Sequence, residues 1–112
     1  MSTETDFLEA WIEAVRIAGP SLFGNGTDPS LADSKWDLEP NLNAIQRRIT
    51  TMSTGEAFFV AAMTCFYSEA DGLRLLQQAN HQSPAGLRSL ATSLDSERRS
   101  TIALLFATFP GW

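Results

Sequence analysis

His81 and Cys65 are the only histidine and cysteine of the chain, and they are the first candidates for acid–base, nucleophilic or metal chemistry. His81 sits in the polar run Asn80-His81-Gln82-Ser83-Pro84, with no nucleophile and orienting carboxylate spaced to make it a general base. It reads as a turn residue facing water. Cys65 lies within AFFVAAMTCFY, residues 57–67, where apolar surroundings keep a thiol protonated and inert. One cysteine and one histidine make neither a disulfide nor a structural zinc site. Gly24-Asn25-Gly26 lacks the Gly-Lys-Ser/Thr that completes a phosphate-cradling loop. Asp28 and Glu39 stand at the first and twelfth places of a calcium-loop frame, but Ala32 takes the fifth place and Asp33 the sixth, where glycine is required. Lys35 is the single lysine, a poor start for Schiff-base chemistry. The expectation is a protein with no enzymatic activity, no cofactor and no metal.

Chemistry of recognition fares better. Residues 1–40 carry eight acids against Arg16 and Lys35, whereas residues 41–112 carry five acids against six arginines. The whole chain has a net charge of −5, concentrated in its first third. Such a surface repels nucleic acid and anionic lipid and favours a basic protein partner. Trp36 stands among Asp33, Asp37 and Glu39, with Asp28 a little upstream. An exposed tryptophan ringed by acids is a natural anchor for a basic protein partner, because tryptophan is enriched at binding hot spots. The same ring could instead fold back as a core plug, as most large aromatics do. Both readings remain open at this level.

The elements that must position these residues are helical. Alanine and leucine number 27 together, valine and isoleucine only seven, which follows the helix ranking and opposes the strand one. Phe7, Leu8, Trp11, Ile12 and Val15 predict a first helix over 5–18, stopped by Gly19-Pro20. Residues 19–40 hold six of the chain's twelve glycines and prolines and predict a long ordered loop, pinned by Leu22, Phe23, Leu31, Trp36 and Leu38. A second helix should start near Pro40 and bury Leu42, Ile45, Ile49 and Met52. Ser53-x-x-Glu56 is a capping box for a third helix over 55–69, apolar on nearly every side. Asp71-Gly72 should break or kink the chain before a fourth helix ending near Asn80. Ser83-Pro84 should open a fifth, burying Leu87, Leu90, Ala91 and Leu94. Asp95 should cap a sixth, with Ile102, Leu105, Phe106 and Phe109 inward, and Trp112 should close the end. The expected architecture is all-α: one compact domain, residues 1–112, of five or six helices. No apolar run reaches the ~20 residues of a membrane span, and the acidic opening MSTETDFLEAWIEA is unlike a signal peptide, so a soluble cytoplasmic protein is expected.

Two resemblances add to this reading. The segment LRLLQQANHQSPAGLRSLATSL, residues 73–94, resembles the helix-turn-helix of small DNA-binding regulators, in which Gln82, Ser83, Ala85, Gly86 and Arg88 would meet the major groove. The lack of a basic stripe weighs against that role, unless the fold brings Arg47-Arg48 and Arg98-Arg99 together. The stretches STGEAFFVAAMTCFYSEADGLRLL and LDSERRSTIALLFATFPGW resemble small acidic accessory proteins of bacterial mobile elements, plasmid or phage, including anti-CRISPR proteins. That resemblance implies an inhibitor that binds a host or defence protein, and it assigns no functional residue.

Overall fold

The computed structural model describes residues 4–79 and 87–111. Six α-helices appear among them: α1 Glu4–Ala18, α2 Leu42–Arg48, α3 Thr54–Cys65, α4 Glu69–Ala79, α5 Leu87–Ser93 and α6 Ser96–Thr108. No strand occurs among the described residues, and the all-α bundle expected from composition is the architecture found. Asn80, His81, Gln82, Ser83, Pro84, Ala85, Gly86 and Trp112, to which sequence roles were attached, lie outside the described residues.

Helix α3 forms the centre. Every residue from Ala57 to Thr64 is buried, and the Thr64 hydroxyl is satisfied by donating to the Val60 carbonyl at 2.9 Å. It packs on α4 along its length and also meets α1, α5 and α6, while α1 lies along α6. From α1 come Phe7, Trp11 and Val15, spaced to share one helical face and all fully buried. Burying side chains of this size stabilises by about 1.5–3 kcal/mol each. Ser53 caps α3 by accepting from the Glu56 amide at 3.2 Å, and Asp95 caps α6 by accepting from the Arg98 amide at 2.8 Å.

The structure corrects the sequence expectations at five places. Helix α2 starts at Leu42 with Asn41 as its cap, because Pro40 is held opposite Phe23 in an isolated antiparallel bridge. The central helix ends at Cys65, and the chain turns at Phe66–Ser68 instead of at Asp71-Gly72. Gly72 sits within α4 against α3; a Cβ there would lie 2.2 Å from Cys65 Sγ and 2.7 Å from its backbone nitrogen. Its purpose is close helix approach, not a break. Leu31 is exposed and does not pin the loop, and Ala91 is exposed on α5. On α6, Leu105 is buried, Ile102 half-buried, and Phe106 and Phe109 are exposed. An apolar stripe wider than the neighbouring helices can cover leaves its flanks in water.

Candidate functional site

The loop of residues 19–41 is short of regular structure yet closely tied to the core. Its base is closed by two backbone bonds: the Gly24 amide donates to the Glu39 carbonyl at 3.0 Å, and the Asn41 amide to the Leu22 carbonyl at 2.8 Å. Gly24 has φ +76°, and a Cβ there would lie 2.7 Å from Leu38 Cδ2 and 2.9 Å from the Asp37 carbonyl oxygen. Only glycine fits that crossing without strain. Leu22, Phe23 and Leu38 fill the space beneath. Compact loops with joined ends and a packed interior are frequent carriers of function.

Three further bonds fix the segment bearing Trp36. The buried Trp11 indole N–H donates to the Leu38 carbonyl at 2.9 Å. The Tyr67 hydroxyl donates to the Lys35 carbonyl. Lys35 Nζ, itself buried, pairs with Glu4 Oε1 at 2.8 Å and lies 5.0 Å from the centre of the Trp36 ring. Burial, and then the charge of Glu39, push the Tyr67 hydroxyl well above its ordinary range, so it remains a donor at any physiological pH.

Trp36 is neither a core plug nor a loose surface ring. It is 51% exposed, and its ring meets Tyr67 at 5.5 Å between centroids in an edge-on contact at 88°. Around it the structure brings together most of the residues singled out from sequence. Asp37 Oδ2 accepts from the amides of Asp33 at 2.9 Å and Ser34 at 3.2 Å, closing the turn Lys35–Leu38 with its carboxylate still at the surface. Asp33 and Glu39 are also exposed. Trp36 and Glu39 line a shallow groove of about 190 Å³ with Leu42, Tyr67 and Asp71. Asp28 works in a different turn. It accepts from the amide and the hydroxyl of Ser30 at 3.0 and 2.8 Å, and these bonds hold its carboxyl below the usual range.

Tyr67 and Asp71 belong to this groove and were not anticipated. The signal for the first was the adjacent pair Phe66-Tyr67 at the end of the apolar helix. Neighbouring residues on a helix end point roughly 100° apart. Tyr67 accordingly turns to the loop, while Phe66 turns to α6 and meets Phe106 at 5.4 Å and Phe109 at 5.5 Å.

Arg88 is exposed on α5, whereas Gln82 and Ser83 lie outside the described residues. The arginine pairs largely serve the fold. Arg48 donates to Ser21 Oγ at 2.7 Å, Arg99 to the Leu94 carbonyl at 3.0 Å, and Arg98 pairs with Asp95 and lies over the Phe59 ring. One member of each pair, Arg48 and Arg98, reaches the same small cavity of about 40 Å³, where Glu56 joins them. Among the described residues no cluster of three or more metal-ligating side chains occurs, and no helix is long and apolar enough to cross a membrane. No protein-family model matches the chain, and no curated protein or solved structure matches it either.

Proposed function

We propose that this protein is a non-enzymatic interaction module of the cytoplasm that docks its acidic, tryptophan-bearing loop onto a basic protein surface. The observation that carries the reading is the state of Trp36: half its surface meets water while the loop beneath it is tied to the core by hydrogen bonds from Trp11 and Tyr67. A ring already held in place loses little freedom on binding, and that is what makes an aromatic an effective anchor. Exposed Asp33, Asp37 and Glu39 supply the charge that speeds encounter with a cationic partner and rejects an anionic one. The resemblance to mobile-element accessory proteins makes a host defence or nucleic-acid-gripping protein the fitting partner, and inhibition the fitting outcome.

Affinity capture from the native cell, with and without nuclease, tests this reading. The expected result is a protein partner that survives nuclease and is lost with Trp36→Ala. Capture that depends on nucleic acid, and that fails with Arg88→Ala instead, would replace it with the helix-turn-helix regulator.

A further inference from the structure

A second surface lies on the other side of the Phe66-Tyr67 turn, and it is apolar. Between α3, α4 and α6 runs a groove of about 460 Å³ lined by Cys65, Phe66, Leu76, Ile102 and Phe106, with Glu69 at its edge. Phe106 is 66% exposed on this side of α6. Leu104, 49% exposed, lines a second depression of about 310 Å³, shared with Glu9, Ala10 and Glu13 of α1. At 100° per residue, Leu104 and Phe106 flank the buried Leu105, one on each side. The outward face between them carries Ser100, Ala103 and Ala107, all exposed, with the exposed Arg99, whose Nε donates to the Leu94 carbonyl, at its edge towards Phe106. Two bulky apolar walls thus border a strip of small side chains where another backbone can come close.

We propose that this face of α6 receives an amphipathic, basic helix from a protein partner. The charge around it selects that occupant. Every charged side chain lining either depression, among the described residues, is an acid: Glu69 on one side, Asp6, Glu9 and Glu13 on the other. A helix laid along α6 would place apolar side chains at i, i+3 or i+4 and i+7 against Phe106 and Leu104, with flanking lysines or arginines reaching those carboxylates. A second copy of this chain would set acids against acids at a net charge of −5 per copy. A small apolar molecule would fill the larger groove but leave Leu104 uncovered. This surface goes beyond the Trp36 loop and stands on different residues.

The test uses the full-length chain and a dye-labelled amphipathic peptide of leucine and lysine, about 15 residues long so that it can form a helix. Its comparison is a scrambled isomer of the same composition. Fluorescence anisotropy should show the amphipathic isomer binding at least ~10-fold more tightly than the scrambled one. Phe106→Ala should weaken that binding by ~10-fold or more, while Trp36→Ala should leave it within about twofold. Ala103→Arg, which adds bulk and positive charge on the outward strip without touching the core, should abolish it. Equal binding of the two isomers, or binding indifferent to both α6 substitutions, overturns the proposal. So does sedimentation of the free protein as a dimer that Ala103→Arg dissociates, which would assign the face to a second copy. A neutral hydrophobic dye that saturates the groove while the peptide still binds would overturn it too.

Discussion

The loop around Trp36 and the C-terminal helix α6 both present an aromatic ring to water, and they do so by opposite means. The loop has only short turns of regular structure, yet its backbone is held by Trp11 of α1 and Tyr67 of the α3–α4 turn, and its Lys35 side chain by Glu4 of α1. Helix α6 is regular for thirteen residues and capped by Asp95, yet leaves Leu104 and Phe106 largely exposed. One surface is held rigid by distant tertiary bonds and is rich in charge. The other is held rigid by its own helix and is rich in apolar area. The difference teaches that regular structure and burial are separate properties: what decides whether a side chain is available is which neighbours reach it.

The largest expected effect falls on the common floor of the two. Trp11 touches Phe7, Phe23, Phe66 and Tyr67, with ring centroids 4.8–6.5 Å apart, so it supports both faces. Trp11→Ala should cost about 3–5 kcal/mol in urea unfolding and weaken binding at both surfaces. Breaking the comparison needs a change on one side only. Gly24→Ala forces a side chain into a positive-φ position against Leu38 and should cost about 1–3 kcal/mol. Hydrogen exchange should rise across residues 22–41 and stay unchanged across α6; an equal rise in both would show that the loop and helix open as one unit.

Acid should separate the two regions more finely, since each contains one aspartate with a lowered pKa. Amide and hydroxyl bonds from Ser30 lower Asp28, and the Arg98 amide followed by its guanidinium lowers Asp95. In both cases the unfolded chain takes up the proton at the higher pH. The stabilisation is therefore complete above about pH 4, the ordinary aspartate range, and is lost as pH falls through the lowered native value. Asp28→Asn should remove the loop's share of this acid sensitivity and Asp95→Asn the helix's share, both read from the pH dependence of the melting temperature. The smallest effect concerns Cys65. Burial, helped by the charge of Glu69, raises its thiol pKa. Alkylation at pH 7.5 should run slower than for free cysteine, and slower again when the amphipathic peptide occupies the groove.

Much of the fold was legible in the sequence because its signals are local. The 3.6-residue spacing of Phe7, Trp11 and Val15, the caps at Ser53 and Asp95 and the all-apolar centre of α3 each depend on residues within a few positions of one another. The failures lie where a distant partner decides. Pro40 looks like a helix start until Phe23 pairs with it, and Gly72 looks like a break until Cys65 is seen against it. Phe106 has the spacing of a core residue, and only the positions of α3 and α4 reveal that nothing from those helices covers its outer side. The acids and Trp36 could be picked out from composition alone. Their arrangement could not, because it rests on Tyr67 and Trp11 reaching carbonyls 32 and 27 residues away.

The central claim is that a rigid, acidic surface around Trp36 binds a basic protein. Its most direct measurement is the dissociation constant for the captured partner across a series of salt concentrations, for the wild type and for Trp36→Ala. The account predicts affinity that falls steadily with salt, and a loss of ~10-fold or more for the variant at every salt concentration. An affinity unmoved by salt and by the loss of the Trp36 ring would contradict it.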